Sequence, residues 1–173
     1  MKEIAIPAGL RWAGLLRQHP RRGFDCGETS VNAWIRTQAL QHQSKHLSVT
    51  KVLLDDQGAI AGYFTLATGQ VDFGDLPAEI SRSLPRRALP VTVLAWLGVS
   101  STHQGRGLGS LLLAQALRDC HKAGKTFAFV AVILNAINDR AKSFYRHWNF
   151  AELPGHPYRL FLTAAQLDAL MGS

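Results

Sequence analysis

The chain is poor in cysteine: of its 173 residues two are Cys, Cys26 and Cys120, with no CxxC pair and no Cys/His spacing of the kind that holds zinc. A disulfide framework and a thiolate metal site are therefore excluded as organising devices. Both thiols are expected to be reduced and structural, each on its own predicted helix. Long apolar runs are missing too, and nothing approaches the roughly 20 residues that cross a bilayer. The opening MKEIAIPAGLRW carries Glu3 and Pro7 and has neither an apolar h-region nor a small-residue cleavage site. A cytoplasmic, non-membrane protein is the default expectation. Acids are scarce and unevenly placed: 12 Asp and Glu stand against 19 Lys and Arg, a net charge of +7. Ser81 to Arg118 contains no acid, and between Arg11 and Lys51 the basic residues meet only Asp25 and Glu28. Such a balance favours polyanions, a phosphate-bearing cofactor or a nucleic acid, although a generally basic soluble surface has the same composition. Repeats and low-complexity linkers are absent, and the length suits one domain over 1–173.

What is present centres on Val91 to Gly124. An apolar run VTVLAWLGVS is followed by STH, then QGRGLG, then the helical pattern GSLLLAQALRDCHKAG. A strand feeding a glycine-rich turn that opens a helix is an anion-binding arrangement, because the first helical turn leaves backbone N–H groups unpaired at the positive end of the macrodipole. Gly105, Gly107 and Gly109 allow close backbone approach, and Gln104 and Arg106 can add side-chain donors. The spacing rejects two phosphate loops. A P-loop needs Lys before Ser or Thr, and Gly109 is followed by Ser110 and Leu111. A dinucleotide loop needs G-x-G-x-x-G, and here the third glycine comes one position early. A glycine-rich connection without a ligand remains the plain alternative.

In chain order, Lys2 to Ile6 reads as a short strand. Asp25 with Glu28 has capping-box spacing, starting a helix whose apolar face is Val31, Trp34, Ile35 and Ala39 and whose polar face, with Asn32, Arg36 and Gln43, is expected to meet solvent. Thr50–Leu54 and Ala59–Thr68 read as a hairpin about Asp55-Asp56-Gln57-Gly58. Gly74 to Pro90 is an irregular or briefly helical connection. Val91 to Ser100 is a central strand, apolar on both faces. Leu108, Leu111, Leu112, Ala116 and Cys120 face one way on the following helix, which Gly124 ends. Thr126 to Leu134 is another buried strand. A second helix from Asn138 gathers Ala141, Phe144, Tyr145 and Trp148, with Asn149 suited to a left-handed end. Phe150–Leu153 and Tyr158–Thr163 are strands, and Ala164–Leu170 is a terminal helical turn or two. This order is α+β, a mixed sheet with helices on both sides.

Gln104, Gly107 and Gly109 match Q/R-x-x-G-x-G/A, and the chain from Val91 resembles the GNAT N-acetyltransferase superfamily: strand, loop, helix, strand, then N-x-x-A-x-x-F-Y as Asn138, Ala141, Phe144 and Tyr145. The resemblance implies a GNAT-like, mostly antiparallel central sheet flanked by helices, and acetyl-CoA held by Leu97, Val99 and the run Gln104, Gly105, Arg106, Gly107, Leu108, Gly109 and Ser110. Asn138 would contact the pantetheine arm and Tyr145 would protonate the departing thiolate. Phe24, Cys26, Gly27, Asn32, Trp34 and Ala39 further resemble the F-x-C-G…N-x-W…A stretch of GNAT toxins of toxin–antitoxin systems. That likeness implies acetylation of the α-amino group of aminoacyl-tRNA, a block of translation, and a small DNA-binding antitoxin of ribbon-helix-helix type; a homodimer is compatible with it. Arg21, Arg22, Arg36, Lys45, Arg82, Arg86 and Arg87 are the candidate tRNA contacts.

Plainer readings stand beside these. Tyr145 lies on an apolar helix face, Asn138 could be an N-cap alone, Trp34 and Trp148 suit packing, and His103 is expected to be solvated. Ser101 and Ser110 have no evident base, and no metal site is visible. Val91 to Ser100 lacks Asp, Glu and His, so the central strand supplies no general base, which favours an acceptor amine of low pKa, although a carboxylate from the Asp72 to Glu79 segment could fold over the site. A GNAT enzyme of a small amine or a protein N-terminus, and a non-catalytic acyl-CoA sensor, share the cofactor motifs.

Overall fold

The computed structural model describes residues 1–172. Seven strands follow one another across a mixed sheet in the order β1-β2-β3-β4-β5-β7-β6. They are β1 (Arg11–Gly14), β2 (Val49–Leu54), β3 (Ile60–Asp72), β4 (Ala88–Val99), β5 (Ala131–Asn135), β6 (Ala151–Leu153) and β7 (His156–Thr163). β4 and β5 run parallel, with Val91–Val93 beside Ala131–Ile133. The pairs β1–β2, β2–β3, β5–β7 and β6–β7 are antiparallel. A parallel pair needs a long crossover, and the 17-residue α4 (Leu108–Gly124) supplies it. The remaining helices are α1 (Thr29–Ala33), α2 (Ala39–Ser44), α3 (Ala78–Ser81), α5 (Asp139–His147) and α6 (Ala164–Gly172). The expected α+β class is the one adopted.

Two compact units share these elements: Lys2–Ala67 with Leu94–Leu117, and Thr68–Val93 with Arg118 onward and Met1. In the first, Val31, Ile35 and Ala39 pack with Leu15, Phe24, Val52, Leu54, Ile60 and Tyr63, while Trp34 is half-buried beside them. The expected apolar face is therefore the docked one. Between α1 and α2 the helix widens: the Ala39 N–H reaches the Trp34 carbonyl five residues back, a π turn over Trp34–Gln38. Polar side chains within this core find partners, while Arg21 Nε and Ser48 Oγ are buried without one. The Tyr63 hydroxyl donates to Val31 O at 2.7 Å, and Trp34 Nε1 donates at 3.0 Å to Thr65 Oγ1, itself 2.7 Å from Thr50 Oγ1. The β2–β3 hairpin closes as its residues dictate: Asp55 Oδ1 accepts from Gln57 N and Ala59 N, and Gly58 takes φ +78°.

In the second unit Val71, Leu76, Leu89, Val91, Ala131, Ile133, Leu153 and Phe161 form the core. Asn149 ends the α5 region at φ 69°, the left-handed role its position suggests.

Several local expectations fail for identifiable reasons. Lys2–Ile6 is not a strand; the chain turns at Pro7 and Gly9, and pairing starts at Arg11. Asp25 does not cap a helix: α1 begins four residues later, with Glu28 at its N-cap and no side-chain cap bond. Cys26 consequently lies in a loop, not on a helix. Thr126–Val130 is not strand, because Thr126 N and Phe127 N both bond Ala123 O and wind the chain off the end of α4. That leaves Phe127 79% exposed.

Gly98 on β4 shows how tightly the first core is closed. An added Cβ would lie 2.6 Å from Val31 Cγ1, a branched side chain with no room to retreat. Gly98→Ala is expected to destabilise the protein by about 1–3 kcal/mol, seen as a lower urea midpoint with unchanged slope.

Candidate active site

The FDCG segment turns out to be a latch. Asp25 Oδ1 accepts from Gly27 N at 2.9 Å and from Asn32 Nδ2 at 2.8 Å, and Asn32 Oδ1 accepts from Cys26 N at 2.9 Å. Gly27 takes φ +87°, which glycine alone adopts freely. Arg36 Nε, joined by Nη2, donates at 3.0 Å to Phe24 O. Asn32 and Arg36, expected to meet solvent, instead grip this turn from α1 and the π segment; Gln43 likewise bridges inward, donating to Leu15 O and accepting from Thr50 N at 2.9 Å each. The Gly27 N–H and then the Asn32 amide hold the Asp25 carboxyl below its ordinary range, with the Arg36 charge adding to them.

The other side of the latch holds the glycine loop. Ser101 N and Oγ donate to Asp25 O at 2.8 and 2.9 Å. Gln104 Nε2 donates to Cys26 O and to Val99 O, both at 3.0 Å. Both amide protons of Gln104 are thus spent on backbone carbonyls, so its role is to fix the loop and not to reach an anion. Ser101, by the same bond, is a strut. Gly105 and Gly107 take φ +77° and +74° with open space where a Cβ would stand. α4 begins at Leu108, and the Leu111 N–H closes the first turn on Gly107 O. The N–H groups of Leu108, Gly109 and Ser110 therefore fall outside the intrahelical ladder, as an anion cradle requires. Arg106 is exposed beside them. His103 is not solvated: its side chain is 14% exposed, Nε2 lies 3.5 Å from Asp55 Oδ2, and Nδ1 is 2.9 Å from Thr102 Oγ1. It ties the loop to the β2–β3 turn.

Leu97 and Val99 lie on β4 one side-chain step either side of Gly98, half-buried, and by alternation point away from the face on which Gly98 meets Val31.

In the second unit, Asn138 caps α5, its Oδ1 accepting from Ala141 N at 2.9 Å. Tyr145, at the end of the second turn of α5, is 8% exposed and meets Phe144 and Phe150 edge-on at 5.2 and 5.9 Å. Burial alone drives its phenol well above the ordinary tyrosine range, so the group keeps its proton at any working pH. It can act as a proton donor and not as a base. Burial also pushes the Cys26 thiol up and that of Cys120 to about 12, so both remain thiols at neutral pH.

The basic candidates separate by unit. Arg22 and Lys45 are exposed and Arg21 and Arg36 half-buried in the first, and Arg82, Arg86 and Arg87 are exposed in the second, with Arg86 5.7 Å from the centre of the Phe73 ring. Trp34 is packed on both sides, stacked on Trp96 at 5.3 Å and met by His42 at 4.7 Å, so it is a packing residue. Asp25 and Ser101 were missed as members of the site. The D-x-G spacing of Asp25 and Gly27 carries an Asx-turn signal that could have found the first.

Residues 14–150 match the model of the Acetyltransferase (GNAT) family. A tRNA-acetylating toxin of Mycobacterium tuberculosis (strain ATCC 25618 / H37Rv) is 35% identical over 149 residues, 86% of this chain and 89% of that protein. AtaT complexed with acetyl-methionyl-tRNAfMet superposes with a TM-score of 0.86 at 23% identity, covering 94% of this chain and 99% of its own. AtaTR bound with AcCoA gives 0.83 at 23% identity, covering 94% and 98%. At these identities the likeness to the two solved structures is one of fold.

If Gln104 acts by holding the loop, Gln104→Ala should weaken acetyl-CoA binding by up to about 30-fold, the order expected when a pair of hydrogen bonds of ~1 kcal/mol each is lost. Titration calorimetry reads it; unchanged affinity would separate the latch from the cofactor.

Proposed function

Because the chain belongs to the GNAT acetyltransferase family, we propose that it moves the acetyl group of acetyl-CoA onto the α-amino group of aminoacyl-tRNA and so blocks translation, as the toxin of a toxin–antitoxin pair. The observation that carries this reading is the FDCG latch: within the stretch that resembles GNAT toxins, the Asp25 and Cys26 carbonyls accept from Ser101 and Gln104 at the glycine loop. Leu97 and Val99 offer β4 backbone to the pantetheine arm, and the Gly105–Ser110 turn receives the pyrophosphate, with Arg106 at its edge. Asn138 meets the arm at the start of α5. The residues 1–173 act as one catalytic domain, in the cytoplasm, held inactive by a small DNA-binding antitoxin of ribbon-helix-helix type; a homodimer suits such an assembly.

The reaction is a direct attack. The amine adds to the thioester carbonyl, the carbon–sulfur bond breaks, and the thiolate leaves with a proton from Tyr145. A backbone N–H near Leu97 to Val99 steadies the oxyanion. No carboxylate or imidazole stands on Val91 to Ser100 to take the amine's proton. An α-amino group, with a pKa of roughly 7.7–8.0 that esterification of its carboxyl lowers further, is substantially free near neutrality, whereas a lysine at about 10.4 is not. Water suffices for the first and fails for the second.

Tyr145→Phe is expected to lower turnover on aminoacyl-tRNA by roughly 10²–10⁴-fold while acetyl-CoA affinity holds. Wild-type turnover in that variant removes the acid from Tyr145. Run beside a free amino acid and a lysine peptide, the same assay tests the substrate class, and preference for the peptide at neutral pH overturns it. Binding of aminoacyl-tRNA should fall about tenfold or more between ~50 and ~200 mM salt if several of Arg21, Arg22, Arg36, Lys45, Arg82, Arg86 and Arg87 touch phosphates. A filter-binding series that stays flat removes them from the interface.

A further inference from the structure

At the start of α5 the second unit exposes an aromatic and apolar pair beside a fixed lysine. Tyr158 is 42% exposed and Ile137 48%. They are neighbours because the Ala136 N–H donates at 2.8 Å to Tyr158 O and Asn135 is paired with Arg159 across β5 and β7. The Tyr158 ring is held in place. Its hydroxyl donates to Asp139 Oδ1, and Lys142 Nζ lies 5.0 Å from the ring centre. Lys142 is itself fixed by Glu152 at 2.6 Å. The acids in this cluster are thus engaged, Asp139 by the phenol and Glu152 by Lys142 and Arg146. Arg140, next to Asp139, and His156, two residues before Tyr158 on the same strand face, are exposed. A held, solvent-facing aromatic ring beside a lysine, with an exposed arginine near it in the chain, is the kind of arrangement that captures unpaired nucleotides, by stacking on the base and attraction to the backbone.

Its place in the fold selects which nucleotide. Ile137 and Asp139 flank Asn138, the residue proposed above to meet the pantetheine arm, so the ring stands at the same end of α5 as that residue. In aminoacyl-tRNA the amino acid is esterified to the terminal ribose, which leaves the last base about six or seven bonds from the attacking amine. We propose that Tyr158, bordered by Ile137 and Lys142, is the stacking platform for the unpaired 3′-terminal base of the RNA acceptor. The inference rests on the aminoacyl-tRNA reading above and assigns residues outside the basic set named there.

The test is a double-mutant cycle on binding, with no turnover required. Intact deacylated tRNA and the same tRNA lacking its terminal nucleotide are titrated against wild type, Tyr158→Leu and Tyr158→Phe. Trimming should weaken wild type and the Phe variant alike, by ~5- to 150-fold, the range measured for one base on one aromatic ring. The Leu variant should bind both RNAs equally, at the level wild type shows for the trimmed one. If trimming costs the Leu variant as much as wild type, ring and base do not meet and the platform is wrong. If Tyr158→Phe behaves like Tyr158→Leu, the phenol–Asp139 bond and not the ring face is what matters, which also overturns it. A wild-type protein that binds neither RNA overturns the functional reading beneath the proposal, a result distinct from either of those.

Discussion

Everything proposed for the first unit depends on the hydrogen bonds around Asp25. Its carboxylate gathers Gly27 N and the Asn32 amide, and its carbonyl gathers the backbone and hydroxyl of Ser101. One residue therefore joins helix α1 to the segment that leads into the glycine loop, 76 positions away in the chain. The neighbouring carbonyls repeat the pattern: Phe24 O goes to Arg36, Cys26 O to Gln104. A loop rich in glycine is intrinsically floppy, and a ligand that orders it loses affinity to the entropy of ordering. Fastening Gln104 and Ser101 from outside removes much of that loss while leaving Gly105 and Gly107 free to take positive φ.

This arrangement explains why two sequence patterns that look unrelated occur together. Taken alone, F-D-C-G…N-x-W reads as a capped helix with a solvated polar face, because Asp25 and Glu28 have capping-box spacing. In the fold the polar side chains Asn32 and Arg36 point back at the turn, and the helix starts at Thr29. The cap reading failed because local spacing competes with a partner far away in the chain, and only the fold shows that partner. Gln104 was misjudged in the same way. A glutamine at the mouth of an anion loop looks like an anion donor until its two protons are seen on Cys26 and Val99.

Where the pattern was regular the sequence was readable. The buried face of α4, the docked face Val31, Ile35 and Ala39, the hairpin at Asp55–Gly58, the cap at Asn138 and the left-handed Asn149 all follow from period, turn chemistry or capping preference. Boundaries were less readable where one apolar composition serves two purposes. Thr126–Val130 is as hydrophobic as the strand after it, yet Phe129 packs on Gly124, with 2.9 Å between its ring and the place a Cβ would stand, and the chain turns there. Gly124 is needed less as a helix terminator than as the space into which Phe129 fits. His103 belongs to the same class: only the hairpin folding beside it provides Asp55.

The chemistry assigned to the site is lopsided, and the environment explains why. Tyr145 sits among Phe144 and Phe150, where an ionised phenolate would have no solvation, so the group is confined to its neutral, donating form. On the central strand nothing can accept a proton. With Tyr145 proposed as the acid and no base on the central strand, the proposed site favours amines already deprotonated near neutral pH. Selectivity then needs no pocket to reject lysine, since the protonated ε-ammonium of a lysine cannot attack. Under the proposed function, what remains for the protein surface is to bring the right ester-linked amine to the thioester. That is a matter of holding an RNA end, which a net charge of +7 and a fixed, exposed aromatic ring beside Asn138 are suited to do.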